Sequence, residues 1–309
     1  MIKVVVTGAT GFIGKYLCLE LLNKGITVYG IGRNEAILNE LEENKRFKGI
    51  RLDFNSYNKM TDIIKDRGFD CFFHLANYGV NGPDKENYNI QLKNTIIACQ
   101  MVDAAYTLGC KRYVFAGSVD EFETGNSPDA VFKEPTHSQI YGVAKYSAEQ
   151  IGKTLAKKHN IEYVSVLLAL TYGEGNNTNI LPNVIIKKSM SHQKIDLIEG
   201  NNTFDMIYIT DAIEGIVTVA EKGKSMESYY VGHQQLRTFK EIVEEINQIL
   251  GNNCILDFGK YKDHGVGIDY SSIDRSKLFR DTGYICQAEL KESILDTYAW
   301  IKENVYVKK

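Results

Sequence analysis

The chain has 309 residues, with 36 Lys and Arg against 39 Asp and Glu and a formal net charge of −3. That length suits one large domain or two modest ones around an ample core. Near charge balance, without a basic block of more than a few residues, argues against nucleic-acid binding. The six cysteines, at 18, 71, 99, 110, 254 and 286, form no CxxC pair and no metal-ligand spacing. Reduced, mostly buried thiols in a cytoplasmic enzyme without a metal are the expectation. The longest apolar stretches, such as Val164 to Leu170, fall far short of a membrane span, and the first residues read as a strand rather than a secretory leader.

Ile2–Thr7 is a short β-branched run, the mark of a strand buried on both faces. Phe12–Asn23 follows with Ile13, Leu17 and Leu21 at helical spacing and stops at Gly25. Ile26–Ile31, Cys71–Leu75, Tyr113–Ala116 and Tyr163–Leu168 read as further strands, with helices at Thr95–Leu108 and Tyr141–His159. This alternation predicts an α/β fold built on a Rossmann-type doubly wound parallel sheet. After about residue 170 the pattern loosens, with helices expected at Thr238–Leu250 and Leu290–Asn304. We therefore expect an NAD(P)-binding domain over 1–170, with returning segments near 204–235, and a mainly substrate-binding lobe over 171–309. That lobe would lie across the carboxyl edge of the sheet, where open α/β sheets bind ligands.

Gly8, Gly11 and Gly14 stand in a GxxGxxG spacing between the first strand and the first helix. Glycines there permit a tight turn and close approach to a pyrophosphate, and the helix N-terminus offers unpaired N–H groups to the phosphates. At the end of the second strand an acidic residue would hold a ribose 2′-hydroxyl, whereas an arginine accommodates a 2′-phosphate. The sequence there is Gly32-Arg33-Asn34, so Arg33 favours NADP over NAD. Asp53 is a candidate partner for the adenine amino group, or else a loop cap. Tyr141 and Lys145 are four residues apart and share one helix face. A free tyrosine has a pKa of about 10, and an ammonium group nearby favours its phenolate, bringing it closer to acid–base work near neutrality.

Together these residues resemble the extended short-chain dehydrogenase/reductase family, and within it the NAD(P)-dependent epimerase/dehydratase group that modifies nucleotide sugars. The run Thr7-Gly8-Ala9-Thr10-Gly11-Phe12-Ile13-Gly14 is similar to that group's cofactor loop. It implies cofactor contacts from Gly8, Thr10, Gly11, Phe12, Ile13 and Gly14. Phe73-His74-Leu75-Ala76 is similar to the segment under the cofactor, Asp53 falls at the adenine-binding aspartate, and Asn89 matches an asparagine heading the next helix. Cofactor contacts are thereby also implied for Arg33, Asp53, Phe54, Leu75, Ala76, Tyr141 and Lys145. Ser118, 23 residues before Tyr141, aligns with the family's catalytic Ser/Thr, so Ser118, Tyr141 and Lys145 are the implied catalytic set. Substrate contacts are implied for Tyr78, Ser118, Val119, Asp120 and Tyr172. Tyr208-Ile209-Thr210-Asp211 and the element from Asp274 to Lys277 are further matches.

The departures concern the substrate. Phe204 stands near the place where many members carry a phosphate-binding arginine, and no arginine occurs between 238 and 274. Lys260, Lys262 or His264 are the substitutes on offer, and Glu174 replaces the usual proline after Tyr172-Gly173. The implied chemistry is hydride transfer, with Ser118 holding a sugar oxygen, Tyr141 passing the proton and Lys145 bonding the nicotinamide ribose. Arg33 tilts the expectation to an NADP(H)-dependent reductase of a 4-keto-6-deoxy nucleotide sugar. A 4-epimerase or 4,6-dehydratase holding NAD tightly is the alternative; a non-catalytic NADP-binding sensor has no use for an intact catalytic set. Dehydratases of this kind place carboxylates one or two residues after the catalytic Ser/Thr; here Val119 and Asp120 hold those places and Glu121 is displaced. The resemblance also implies a homodimer, formed through Thr95–Leu108 and Tyr141–His159. The first of these helices carries Ile96, Ile97, Met101, Val102 and Ala105, more apolar surface than one sheet-facing stripe requires.

Overall fold

In the computed structural model, which describes residues 1–125, 138–261, 268 and 270–306, the β-branched run after Ile2 becomes the strand Lys3–Thr7 inside a seven-stranded sheet. From edge to edge the order is Ser228–Val231, Glu162–Leu168, Arg112–Ser118, Cys71–His74, Lys3–Thr7, Thr27–Gly32 and Phe47–Arg51. Every neighbouring pair runs parallel. A parallel sheet must hide both faces, and side chains alternate along each strand. Val4 and Val6 accordingly pack with Leu17 and Leu21 of the helix Phe12–Asn23 and with Ile213 and Ile216 of the helix Ile209–Lys222. Val5 points the other way, into a core shared with Met101 of the helix Tyr88–Thr107 and Ala148 of the helix Gln139–His159. Fully burying each such aliphatic side chain contributes about 1.5–3 kcal/mol. The doubly wound sheet expected from the sequence is the fold observed.

Beyond Leu168 the chain builds a second core from Ile185 and Ile186 of Leu181–Met190, Val243 and Ile246 of Phe239–Ile249, and Ile294 of Leu290–Ile301. Three two-stranded ladders tie this lobe together, of which Leu170–Tyr172 with Met206–Tyr208 lies nearest the main sheet in sequence. Among the described residues no helix is long and apolar enough to cross a membrane, and no cluster of His, Cys, Asp or Glu could hold a metal ion. All six cysteines are free.

Two expectations change. The helix expected from Thr95 begins at Tyr88, where the Asn87 side chain caps it by accepting the N–H groups of Asn89 and Ile90. Its first turns lack an inward apolar stripe because Gln91 and Asn94 are the buried residues there, while Tyr88 and Leu92 face outward. The apolar surplus on this helix is also differently placed. Ile97, Met101, Val102 and Ala105 are buried toward the sheet and only Ile96 of that set faces out. The outward apolar side chains on this helix are instead Leu92 and Ile96, and Val143 and Tyr146 are exposed on the neighbouring Gln139–His159. Thr95 Oγ1 clamps the two helices by donating to the Ala144 carbonyl at 2.9 Å.

Candidate active site

The glycine loop closes on itself at the carboxyl end of Lys3–Thr7. Gly8 has φ +76°, a conformation that favours glycine, and its carbonyl accepts the Gly11 N–H at 2.9 Å. A Cβ on Gly14 would stand 2.0 Å from the Gly8 carbonyl oxygen, so the helix from Phe12 packs against the turn with backbone alone. Gly11 caps that helix without a side chain, which leaves its leading N–H groups for an anion. The loop therefore fits a dinucleotide diphosphate. Thr7 Oγ1 is 2.8 Å from Nδ1 of the buried His74 and pins the floor of the site. Thr10 packs against the end of the second strand, where a Cβ on Gly32 would stand 2.4 Å from its side chain.

At the far end of the loop Arg33, Asp53, Phe54 and Tyr78 form one cluster. Arg33 Nη1 donates to the Tyr78 hydroxyl at 2.6 Å, with the guanidinium 4.6 Å from the ring centroid. The Tyr78 hydroxyl in turn reaches Asp53 Oδ2 at 3.4 Å, and the Phe54 ring meets Tyr78 edge-on. Asp53 also caps its own turn by accepting the Asn55 N–H at 2.9 Å. That bond, helped by Tyr78 and Arg33, holds its carboxyl below the usual aspartate range. Tyr78, expected at the substrate, belongs to this end, because Asn94 takes its backbone on both sides. Asn94 Oδ1 accepts the Tyr78 N–H and Nδ2 donates to the Tyr78 carbonyl. Gln91 Nε2 donates to both the Gly79 and the Asp84 carbonyls. Asn89, the matched asparagine, is exposed, and these two buried carboxamides one turn on were not identified from the sequence. Their signal is a pair of amides at i, i+3 where an apolar stripe belongs.

A cleft of about 510 Å³ opens over the carboxyl edge of the sheet. Gly8, Gly11, Phe12, Ile13, Gly14 and Leu75 line one side. Ser118, Val119, Asp120, Tyr141 and Lys145 line the middle, whereas Thr10, Arg33, Asp53, Phe54, Ala76, Tyr78 and Tyr172 lie outside this wall. Ser118 ends its strand and donates to Asp120 Oδ2 at 3.1 Å, while its Oγ accepts the Asp120 N–H at 3.2 Å. Tyr141 is buried at 6% exposure. Burial and then the Asp120 charge push its hydroxyl well above the usual range, opposed by a hydrogen bond with Ser118. Lys145 Nζ donates to the Ala116 carbonyl at 2.7 Å and stands 5.9 Å from the Tyr141 ring centroid. Burial pulls Lys145 below the ordinary lysine range, with the Asp120 charge acting against it.

Lys85, which the sequence did not single out, enters the cleft from the turn Gly82–Glu86. Its ammonium pairs with Asp120 Oδ2 at 2.9 Å and lies 4.8 Å from the Tyr141 ring centroid. Glu121 is 4% exposed, turned away from the cleft, with Oε1 accepting the Ser118 N–H. Tyr172, expected at the substrate, is buried in the second lobe with its hydroxyl 2.6 Å from Ser293 Oγ. Thr171 faces the cleft instead, as alternation along a strand requires. Glu174 accepts the Tyr208 hydroxyl at 2.6 Å.

Phe204, Asp205 and Tyr270 also line the cleft. Asp205 accepts the His233 N–H at 2.8 Å, its other oxygen lies 2.8 Å from His233 Nδ1, and the Tyr230 hydroxyl donates to it as well. That carboxylate draws the His233 pKa up against its burial. Among the described residues the cations lining the cleft are Lys85 and Lys145. Lys260 is exposed, and Lys262 and His264 lie outside the described residues.

A model of the NAD dependent epimerase/dehydratase family matches residues 4–232. CDP-abequose synthase of Yersinia pseudotuberculosis is 26% identical over 271 residues, covering 85% of this chain and 90% of that protein. The dTDP-4-dehydro-6-deoxyglucose reductase of Escherichia coli is 25% identical over 270 residues, covering 82% of this chain and 84% of that one. UDP-glucuronic acid 4-epimerase from Bacillus cereus, solved with UDP-glucuronic acid and NAD, superposes with a TM-score of 0.75 at 25% identity, covering 98% of this chain and 99% of that one. With the family match running from the first strand to the last strand of the sheet, the chain belongs to the NAD dependent epimerase/dehydratase family and is an enzyme of that oxidoreductase type.

Proposed function

We propose that this enzyme is an NADP(H)-dependent reductase of a 4-keto-6-deoxy nucleotide sugar, with Ser118, Tyr141 and Lys145 as its catalytic residues. The observation that carries this is the disposition of the two carboxyls after Ser118. Elimination of water across C5–C6 needs an acid and a base at the sugar. Asp120 faces the cleft but is neutralised by Lys85, and Glu121 is turned into the protein. Tyr141 is held as a phenol, which suits donating a proton to a ketone oxygen. NADPH, when bound, supplies a hydride from its nicotinamide C4. Ser118 would hold the ketone oxygen within reach of Tyr141, and Lys145 would bond the nicotinamide ribose. Arg33, exposed beside Asp53, would meet the 2′-phosphate of the adenine ribose. Residues 1–170, with the returning segments near 204–235, would hold the cofactor, and 171–309 mainly the sugar nucleotide.

The likeness of the whole chain to a 4-epimerase solved with NAD favours, as the second reading, an epimerase that keeps its cofactor. One assay separates them. Purified protein is supplied with NADPH and dTDP-4-keto-6-deoxyglucose, with nicotinamide absorbance and product mass followed together. Loss of NADPH with a gain of two hydrogens in the sugar is expected. Retained NAD with isomerisation of a UDP-sugar, or loss of water from a 4-hydroxy sugar without net NADPH consumption, would overturn the reductase.

A further inference from the structure

Behind the cleft runs a line of buried and half-buried polar side chains that the proposed chemistry does not use. Glu121 Oε1 accepts the Ser118 backbone N–H at 2.8 Å, while the Ser118 side chain accepts the Asp120 N–H, so the turn Val119–Glu121 is closed reciprocally from both ends. The carboxyl lies hard against the strand, since a Cβ on Gly117 would stand 2.5 Å from Glu121 Oε1. Its far side meets Glu149, 3% exposed, through a hydrogen bond. Glu149 Oε1 is in turn 2.5 Å from Lys153 Nζ and accepts the Ser228 hydroxyl. Lys153 also donates to Ser228 Oγ at 2.7 Å. The line thus connects the serine of the cleft to the edge strand of the sheet.

We propose that Glu121 is a positioning residue for the reaction: anchored on Glu149, Lys153 and Ser228, its carboxyl group holds the Ser118 backbone and thereby sets where the Ser118 hydroxyl stands toward Tyr141. The inference rests on the assignment of Ser118 and Tyr141 made above. Two buried carboxyls sharing a hydrogen bond do not both ionise. Burial and the Glu149 charge push Glu121 well up, whereas Lys153, Ser228 and Glu121 together outweigh burial and keep Glu149 ionised. Glu121 is therefore the proton donor of the pair. The other titratable groups facing it are Lys145, Tyr141 and Tyr163, with Asp120 next in the chain held by Lys85. A proton-bearing Glu121 fixes the turn without adding a second negative charge beside Tyr141.

The test compares wild type, Glu121→Ala, Glu121→Gln and Tyr141→Phe. The readouts are NADPH turnover on dTDP-4-keto-6-deoxyglucose, infrared difference spectra and hydrogen exchange at the Ser118 amide. Glu121→Ala is expected to expose the Ser118 amide to exchange and to lower kcat about 100-fold, the scale of a 1 Å misplacement. KM for NADPH should not move. Glutamine keeps an acceptor for Ser118 and a donor for Glu149, so Glu121→Gln should rescue both kcat and protection while one protonated-carboxyl band disappears. Should Glu121→Ala fail to fold, Glu121→Asp, which keeps the acid but shortens its reach, should show the same loss. Full activity in the alanine or aspartate variant beside an inactive Tyr141→Phe overturns the proposal and leaves the catalytic assignment standing. An active Tyr141→Phe removes that assignment and the proposal with it. Unchanged Ser118 exchange in Glu121→Ala, or a carboxyl band that survives Glu121→Gln, overturns the proposal whether or not this sugar is turned over.

Discussion

Lys85 Nζ and Asp120 Oδ2 lie 2.9 Å apart within the cleft, and both are largely shielded, at 20% and 15% side-chain exposure. Removing the lysine alone leaves the Asp120 carboxylate beside Tyr141 without its ion-pair partner, and Asp120 already raises the tyrosine pKa. Lys85→Met should lower kcat, and Asp120→Asn in the same chain should recover part of the loss. The double-mutant cycle is expected to show a coupling of about 0.5–3 kcal/mol. Strictly additive effects would mean that the pair has no bearing on the reaction.

Tyr141→Phe should reduce kcat by at least about 10²-fold, the usual scale of acid–base assistance. Cofactor affinity should stay near that of wild type, because the hydroxyl acts mainly on the reacting oxygen. Lys145→Met should impair both. A Tyr141→Phe variant that keeps more than about a tenth of wild-type kcat would show that another group supplies the proton.

Cofactor choice should follow Arg33. NADPH is expected to give the higher kcat/KM, and Arg33→Ala should narrow its lead over NADH by about 1.5–3 kcal/mol, the scale of a hydrogen bond to a charged group. Equal use of the two cofactors by the unaltered enzyme contradicts the assignment.

His74 makes stability fall in acid. It is buried and bonded to Thr7, and burial, then the Lys145 charge, press its pKa down to about 3. The unfolded chain takes up this proton near pH 6.5 while the folded one does not, so the contribution is complete above that pH and is lost as pH falls toward 3. At pH 5 the loss amounts to about 2 kcal/mol. His74→Asn should therefore flatten the melting-temperature profile between pH 7 and 5, as read by calorimetry. Parallel profiles for the two proteins would assign the acid sensitivity elsewhere.

The part of the chain that builds the first strands of the sheet was the legible part. Phe12–Asn23 was read with its observed bounds because glycines punctuate both ends and its apolar residues keep strict helical spacing. Ser118, Tyr141 and Lys145 meet in one cleft as the motifs implied. Lys85 was invisible because its partner is 35 residues away and a lone loop lysine carries no spacing signal. Asp205 and His233, 28 residues apart, share that obscurity. Tyr172 was misplaced by one step of strand alternation, a distinction that a motif match does not make. Helix Tyr88–Thr107 lost its first turns to buried amides, which hydrophobic periodicity counts as polar surface.

We expect a homodimer through the helices Tyr88–Thr107 and Gln139–His159. Leu92 and Ile96, at 57% and 58% exposure, and the exposed Val143 and Tyr146 of the helix packed beside it give these two helices outward apolar side chains suited to a second copy. Sedimentation should give a dimer, and Ile96→Lys should shift it toward monomer. A monomer independent of concentration rules the pairing out.

The seventh strand gives the molecule a particular history of assembly. Ser228–Val231 pairs with Glu162–Leu168, placing Tyr229 against Val166, and the helix just before it covers Val4 and Val6. A growing chain therefore presents an unfinished sheet edge to its surroundings until residues far past the helix Gln139–His159 have left the ribosome. The two lobes are woven rather than joined end to end. A break near residue 170 would strip six of the seven strands of the edge strand Ser228–Val231 and of the helix Ile209–Lys222 that covers Val4 and Val6, so the first part of the chain is not a self-contained module that could be exchanged whole.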